Sequence, residues 1–198
     1  MERPPGAREL TTSLAKLPPF DDDGHLNAIV DTAKGSRNKY KWDRELGLFR
    51  LGGVLPVGAS FPFDFGFVPS TRGEDGDELD VLVLMDEPAF VGCLVAARLV
   101  GVIEAEQTER DGDVEKNDRL IAVAHKSHAH RDVRTLDDLP AVLVDEIEHF
   151  FVSYNMARGK VFTPTGRAGP VRARHLVEAG TKGRKKARSA KKGRGSRR

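Results

Sequence analysis

Glu-Asp-Gly-Asp-Glu-Leu-Asp-Val-Leu-Val-Leu, residues 74 to 84, places a group of carboxylates in a turn directly before an apolar strand. Gly76 lies between Asp75 and Asp77 and allows a tight bend, because glycine readily adopts positive φ. Asp80 opens the run of strand-forming residues, which fixes the direction of its side chain. Carboxylates at this spacing suit Mg²⁺ completed by water and phosphate oxygens, whereas the residue pattern of a calcium-binding EF-hand loop is absent. The spacing alone leaves a metal site and a solvated acidic turn equally open.

The size and composition of the chain indicate one ordinary globular domain. Its 198 residues are 39% apolar and 31% charged, and a chain of this length buries a sizeable core. No apolar run approaches the roughly 20 residues that cross a bilayer, so no membrane span is predicted. The N-terminus lacks the apolar region of a secretory signal, and the single cysteine, Cys93, cannot form an internal disulfide. We therefore expect a cytoplasmic protein.

The charge is distributed very unevenly along the chain. The net charge is +2, but residues 181–198 hold ten Lys or Arg and no acid, leaving 22 basic against 30 acidic residues before them. This stretch lacks large apolar side chains, so we predict a disordered basic tail over 181–198. Paired prolines predict an N-terminal arm over 1–24, which leaves 25–180 for the domain. A solubilising or self-shielding tail is favoured over nucleic-acid binding, because no aromatic residues interleave for stacking.

Alternating and β-branched runs predict several short strands separated by turns. The predicted strands span residues 25–33, 48–51, 61–68, 79–85, 92–106 and 120–125. Gly101 predicts a bend or bulge in the longest of them. A helical stripe of apolar residues ends at Tyr154, and Asp138 is a candidate cap for a helix that begins near it. A second short helix is predicted over 170–178, and short strands joined by turns favour a barrel.

Four segments in the same order resemble those of the family I soluble inorganic pyrophosphatases, of which this chain would be a divergent member. The acidic stretch resembles the family's Asp-Gly-Asp-Pro-x-Asp-x-Leu-Val signature, with Glu78 in place of proline. The other segments are Gly35-Ser36-Arg37-Asn38-Lys39-Tyr40, the aromatic run from Phe61 to Pro69, and Asp137-Asp138-Leu139-Pro140 followed by the helix that ends at Tyr154. The resemblance covers about residues 25 to 162, and four ordered segments are far more specific than one.

The resemblance implies a fold, an activity and a set of site residues. The implied fold is α+β, mainly β, with an OB-like five-stranded barrel flanked by helices. The implied activity is Mg²⁺-dependent hydrolysis of inorganic pyrophosphate to two phosphates by metal-activated water, in a homo-oligomer. Asp75 and Asp80 would be metal ligands, and Asp77 would also help to deprotonate the attacking water. The substrate would be held by Lys39, Tyr154 and Arg119, the last standing where the family has a lysine.

Two further positions match metal-ligand positions of the family with altered residues. Asp31 stands where the family has Glu, and Asn117, a neutral ligand at best, stands where it has Asp. Asp118 could serve instead if the turn shifts by one residue. From the residues alone, a solvated strand lysine is favoured for Lys39 and the last aromatic of a core stripe for Tyr154, and the shared order of the four segments reverses this preference.

Other departures fall on positions that the chemistry uses. The family has Glu at Lys41, Tyr at Phe61 and Phe65, Lys at Asn155, and a phosphate-binding Arg near Gly53. An acidic insertion over 104–115 either supplies replacement ligands or forms an exposed hairpin tip. These departures leave open a catalytically weakened relative that binds a phosphorylated ligand or partner. A third hypothesis is a nucleic-acid-associated OB-like module driven by the tail.

Overall fold

The structure, a computed structural model, describes residue 14 and residues 17 to 195, with side chains through residue 183. Most of the predicted N-terminal arm therefore lies outside the described residues. Within them the strands are β1 (Leu26–Thr32), β2 (Asn38–Asp43), β3 (Leu48–Val54), β4 (Asp64–Phe67), β5 (Asp80–Leu84), β6 (Leu94–Thr108), β7 (Val114–Lys116), β8 (Arg119–Ala124) and β9 (Val161–Ala168). The helices are a 3₁₀ turn (Leu136–Asp138), α1 (Ala141–Met156) and α2 (Pro170–Gly195).

Five strands form a closed ring. They pair in the order β1, β4, β5, β8 and β6, and β6 pairs back to β1. All of these pairings are antiparallel except that of β5 with β8, which is parallel. The ring, with two helices beside it, confirms the mainly β, OB-like five-stranded fold. Strands β7 and β9 extend it at β6, and β2 and β3 form a separate hairpin.

The strands of the ring are apolar on both sides because each side faces its own hydrophobic cluster. On β5, Leu82 and Leu84 belong to the cluster that includes Ile147 and Phe151 of α1. Val81 and Val83 belong to the cluster that includes Val177 of α2. Since successive strand side chains point to opposite faces, each helix covers one face. The residues that follow Asp80 on β5 are therefore all apolar because both faces of this strand are buried.

Gly101 lies at a bulge, as predicted. The pairing of β6 with β8 shifts register between Leu99 and Gly101. A Cβ at Gly101 would lie 2.5 Å from Cγ of Leu136 and 2.7 Å from the carbonyl oxygen of Ala168. Glycine at this bulge therefore also allows Leu136 and Ala168 to approach the strand closely.

The main helix begins slightly later than expected. Pro140 is its N-cap residue, and α1 runs from Ala141 to Met156. The Asp138 carboxylate instead accepts backbone hydrogen bonds from Arg134 at 2.9 Å and Thr135 at 2.8 Å. These bonds hold the pKa of Asp138 below its usual value. Asp138 therefore caps the 3₁₀ turn before α1, and its assignment to the long helix was wrong.

Three strands have no counterpart among the predicted ones. The six predicted strands correspond to β1, β3, β4, β5, β6 and β8, whereas β2, β7 and β9 were missed. Strand β9 contains Pro164 and Gly166, which normally argue against a strand interior. It pairs with β6 alone, with a register shift between Glu104 and Ala105. The partner of β9 is distant in the chain, so local sequence does not reveal it, whereas β2 and β7 were missed although each pairs in a local hairpin, with β3 and β6 respectively.

The basic C-terminal stretch differs from its prediction. Helix α2 does not end near residue 178 but continues to Gly195, so the backbone of 181–195 is helical where disorder was predicted. Lys, Arg and Ala have high helix propensity, and extending an existing helix is far easier than nucleating one. Residues 196–198 lie outside the described residues, and the domain boundary at 180 stays a prediction. Neither helix in the described part of the chain is long and apolar enough to span a membrane.

Gly66 gives the sharpest test of the barrel. A Cβ there would lie 2.0 Å from the carbonyl oxygen of Ile29 on the neighbouring strand. We predict that Gly66→Ala lowers the free energy of unfolding by about 3 kcal/mol or more, because backbone on both sides must move. The matched control is Gly53→Ala, where no atom lies within 4 Å of the added Cβ. Equal urea denaturation curves for both variants would contradict the β1–β4 pairing.

Candidate active site

A cleft of about 1010 Å³ lies between the β2–β3 hairpin, the acidic turn before β5 and the C-terminal end of α1. It brings together the eight residues that the resemblance assigned to the site. These residues are Asp31, Lys39, Asp75, Asp77, Asp80, Asn117, Arg119 and Tyr154. Their shared position agrees with the predicted site, while their individual roles stay predictions.

Asp80 and Arg119 hold the base of the cleft together. They are the first residues of the parallel strands β5 and β8, and Nη1 of Arg119 lies 2.7 Å from Oδ2 of Asp80. The arginine is 3% exposed, and its guanidinium carbon lies 5.1 Å from the ring centre of Phe151 and 5.2 Å from that of Phe162. The same Nη1 donates to the side-chain oxygen of Asn117. Arg119 thus orients Asp80 and Asn117 from inside the fold.

The acidic turn has the tight bend that its glycine predicts. Gly76 has a φ of 85°, and the backbone N–H of Asp77 donates to Oδ1 of Asp75 at 3.0 Å. Partial desolvation by the cleft walls raises the pKa of Asp75, and the nearby Asp80 and Asp77 carboxylates raise it further. The turn therefore concentrates negative charge that a cation would relieve.

Asp77 carries its own counter-ion. Nζ of Lys41 lies 2.7 Å from Oδ2 of Asp77, and both side chains are mostly exposed, at 66% and 60%. The hydrogen bond to Asp77 raises the pKa of Lys41, and the charges of Asp80 and Asp75 add to this effect. The negative charges of Asp75, Asp77 and Asp80 thus all stabilise the protonated form of Lys41.

Asp31 and Lys39 form a buried pair behind the acidic turn. Nζ of Lys39 lies 2.6 Å from both carboxylate oxygens of Asp31. Burial raises the pKa of Asp31 and outweighs the opposing attraction of Lys39. The ammonium also lies 4.3 Å from the ring centre of Phe65 and 5.9 Å from that of Phe61. Lys39 is therefore not the solvated strand lysine of the simpler alternative.

Tyr154 belongs both to the core and to the cleft. Its ring packs on Phe61 and Phe150, with centre distances of 5.5 and 5.8 Å. Its hydroxyl accepts a hydrogen bond from Nη1 of Arg158 at 2.9 Å. Burial raises the pKa of the Tyr154 hydroxyl, so it stays protonated and able to donate. Both interpretations of Tyr154 from the sequence are therefore compatible with its position.

Sequence reasoning missed Arg158, which lines the cleft one helical turn beyond Tyr154. The neighbouring Asn155 is buried and donates from Nδ2 to the carbonyl oxygen of Phe151 at 2.9 Å, so its amide is already engaged within the helix. The i, i+4 spacing of Arg158 from Tyr154 is the signal that would have found it. Its guanidinium supplies positive charge where the chain has Asn155 in place of a lysine.

The far side of the cleft contains amides and a paired carboxylate. Nε2 of the buried Gln107 donates to Oε1 of Glu109 at 2.6 Å, and Nζ of Lys160 lies 2.6 Å from the same oxygen. Asp118 does not line the cleft, because its Oδ1 accepts the backbone N–H of Ala105 at 3.0 Å. Of these two residues, Asn117 is the one that lines the cleft, and its role as a metal ligand stays a prediction.

The acidic insertion forms a hairpin with an exposed tip, as one of the two alternatives expected. Gly112 has a φ of 95° at the turn, and the strands on either side are β6 and β7. Of the acidic residues of this insertion, Glu109 and Glu115 line the cleft, whereas Glu106, Asp111 and Asp113 do not. Pairing across the hairpin decides which acids face inward, and this register is not visible in composition.

The donor chemistry of the cleft fits a hard divalent cation. Asp75, Asp77 and Asp80 offer carboxylate oxygens, which such cations prefer, and water and phosphate oxygens complete such sites. These oxygens are not gathered into a closed cage. Among the described residues, the group with three ligand atoms within 4.8 Å of one another is Asp21, Asp23 and His25, which does not line the cleft. The cleft thus offers an open set of ligands.

Comparison with known proteins gives one consistent result. The family model described as inorganic pyrophosphatase matches residues 28–185. Among curated proteins, the chain is 36% identical over 169 residues to the inorganic pyrophosphatase of a Nostoc species, covering 85% of this chain and 97% of that protein. It is 39% identical over 155 residues to that of Leifsonia xyli, covering 78% and 92% respectively.

Solved structures agree with the sequence relatives. The inorganic pyrophosphatase from Thermus thermophilus superposes with a TM-score of 0.79 at 32% identity, covering 87% of this chain and 99% of that one. The enzyme from Helicobacter pylori gives a TM-score of 0.77 at 32% identity, covering 86% and 99%. The similarity thus extends over nearly the whole length of these proteins, so the cleft lies within a shared domain.

The Asp31–Lys39 pair yields a prediction about stability and pH. We predict that Lys39→Met lowers the free energy of unfolding by roughly 3 kcal/mol at pH 7, because it leaves a buried carboxylate unpaired. The variant's Asp31 then has a pKa further above its unfolded value. The loss in free energy of unfolding should be full above the pKa of Asp31 in the folded variant. It should vanish below the pKa of Asp31 in the unfolded chain, so it shrinks as the pH falls. Urea denaturation over a pH series measures it.

The matched control is the double variant Asp31→Asn with Lys39→Met, which has no buried charge to penalise. It should recover much of the lost stability and remove the pH dependence. A loss that stayed constant with pH, or that the second substitution left unchanged, would show that the pair does not bury charge.

Proposed function

Because the chain belongs to the inorganic pyrophosphatase family, we propose that its cleft hydrolyses inorganic pyrophosphate to two phosphates with a water molecule and Mg²⁺. The observation that carries the proposal is the convergence of carboxylates and cations in one cleft. Carboxylates of the acidic turn lie on one side, and Lys39, Arg119 and Arg158 line the same space. A highly anionic substrate needs both a metal and side-chain cations around it.

Each side chain has a task in this reaction. A divalent cation held by Asp75, Asp77 and Asp80 would lower the pKa of bound water and offset the charge of the phosphates. Asp77, whose side chain is mostly exposed, accepts the proton of the attacking water. The water oxygen bonds to one phosphorus, the bridging P–O bond breaks, and the second phosphate leaves. Arg119 positions Asp80 throughout.

Cations and a hydroxyl hold the phosphates. Lys39 and Tyr154 line the same space, and Arg158 donates a hydrogen bond to the Tyr154 hydroxyl. Their donors match phosphate oxygens, which accept several hydrogen bonds each. Lys39 exchanges part of its contact with Asp31 for the substrate, which its flexible stem allows.

We further propose that the activity is lower than that of relatives with a complete set of acidic ligands. Gln107 and Asn117 present neutral amides to the cleft, and Gly53 offers no side chain where the family has an arginine, although Arg50 of the same strand also lines the cleft. Phe61 and Phe65 keep their aromatic packing but offer no hydroxyl. Removing one positioned electrostatic group commonly costs on the order of 10²-fold in rate, and such losses are not additive.

The remaining expectations from the sequence also stay proposals. We infer a homo-oligomer in the cytoplasm, and the apolar side chains exposed on and beside the β2–β3 hairpin support self-association. They are Leu46, Leu48, Leu51, Val54 and Val57. No finding favours the alternative of a weakened relative that only binds a phosphorylated ligand or partner. Nucleic-acid binding by the tail has no support in the described side chains.

A phosphate-release assay with two variants tests the proposed roles. Asp77→Asn should lower kcat on the order of 10²-fold, because the proton acceptor is lost. Arg158→Gln should raise KM roughly tenfold with a smaller effect on kcat, because it removes charge that binds substrate. The matched control is Arg131→Gln, an exposed arginine paired with Asp132 outside the cleft. Full activity in Asp77→Asn would contradict the assignment.

Restoring a carboxylate tests the proposed loss of activity. We predict that Asn117→Asp raises kcat/KM for pyrophosphate several-fold, because Arg119 already donates to this position and can hold the new charge in place. Asn38→Asp adds the same charge at an exposed position outside the cleft and should change little. If the parent already equals a relative with the full aspartate set, the departures do not matter. An unchanged rate in Asn117→Asp would mean that this position is not limiting.

A further inference from the structure

Two cations of the β2–β3 hairpin reach the acidic turn: Arg44, between the two strands, pairs with Glu78, and Lys41 of β2 pairs with Asp77, one of the proposed metal ligands. Lys41 and Asp77 lie 36 residues apart in the sequence, and their side chains meet at 2.7 Å. The contact joins the hairpin, which is a separate two-stranded sheet, to the turn that precedes β5. The ammonium therefore lies at an oxygen of the carboxylate group that would receive a divalent cation.

A divalent cation and this ammonium compete for the same charge. A metal ion beside Asp75, Asp77 and Asp80 would be repelled by a positive side chain bonded to one of them, unless that side chain moves away. The lysine can move, because both partners of the pair are mostly exposed and such pairs are weak. The competition is therefore reversible, and it weakens metal binding without preventing it.

The neighbouring strand provides a contrast within the same hairpin. Arg50 is the cross-strand partner of Lys41, and its side chain is exposed to a similar extent, 68% against 66%. Nη1 of Arg50 bonds to Asp43 at 3.1 Å and makes no ion pair with the acidic turn among the described residues. Of these two adjacent cations, Lys41 alone is bonded to the turn.

We propose that Lys41 is a built-in counter-cation of the Asp75, Asp77 and Asp80 group that competes with divalent metal and sets the metal affinity of the cleft. The proposal rests on the proposed function, since it concerns the metal of the same site. Lys41 is a positioning residue that acts through Asp77. It makes the acidic turn stable without metal and raises the metal concentration at which the site fills.

The test is calorimetric titration of Mg²⁺ into metal-free full-length protein. Lys41→Gln should lower the Kd for Mg²⁺ about five- to tenfold, the effect expected from removing one positive charge several ångströms from a doubly charged ion. Lys41→Glu should lower it further, because it adds a carboxylate. Arg50→Gln should leave it within about twofold, since exposed charges beyond the first contact are screened. Melting curves without metal confirm that each variant is folded.

Salt gives a second readout that a purely structural role of Lys41 would not produce. The difference between the parent and Lys41→Gln should shrink at about 1 M NaCl, where the Debye length is about 3 Å. Equal Kd values for the parent and Lys41→Gln at low salt, or an equal change in Arg50→Gln, would overturn the proposal.

Phosphate release, measured on the same samples, separates this proposal from the proposed function. If no variant releases phosphate from pyrophosphate but Lys41→Gln still binds Mg²⁺ more tightly, the counter-cation stands and the proposed function fails. If phosphate release depends on Mg²⁺ while the parent and Lys41→Gln have equal Kd values for Mg²⁺, the proposed function stands. The proposal that Lys41 competes with the metal is then wrong.

Discussion

The ion pair between Asp80 and Arg119 connects the core of this protein to its chemistry. The two residues begin adjacent parallel strands, so the register of β5 against β8 sets where both side chains enter the cleft. The guanidinium lies against Phe151 and Phe162, which fixes it by packing as well as by charge. Because removing one partner of a buried ion pair leaves the other charge unpaired, this pair couples the core to the acidic cleft.

The same constraint explains the balance of charge in the cleft. Carboxylates gathered for a cation repel one another when the cation is absent, and the chain offsets this with cations of its own. Lys39 pairs with Asp31, Lys41 with Asp77, and Arg119 with Asp80. Two of these cations are largely buried, and Lys41 is exposed. The cleft therefore has a permanent inner layer of pairs and an outer pair that is readily exchanged.

Features that depend on nearby residues could be predicted from the sequence. The bend at Gly76, the strand after Asp80 and the bulge at Gly101 each follow from local backbone preference and burial. Features that depend on distant partners could not. Strand β9, for example, is stabilised by the distant β6. Arg158, which follows the end of α1 and lines the cleft, was missed although its local i, i+4 spacing from Tyr154 indicated it. The helical backbone after residue 180 was missed because composition indicated disorder, although the same residues extend an existing helix well.

The most direct test of the central claim is the fate of solvent oxygen when the purified protein acts on pyrophosphate in ¹⁸O-labelled water. If water activated in the aspartate cleft is the attacking group, each pyrophosphate cleaved should yield one labelled oxygen atom in the phosphate produced. Incorporation should require Mg²⁺ and should disappear with a chelator. Phosphate release without label, or labelled phosphate formed at the same rate in the presence of the chelator, would contradict the account.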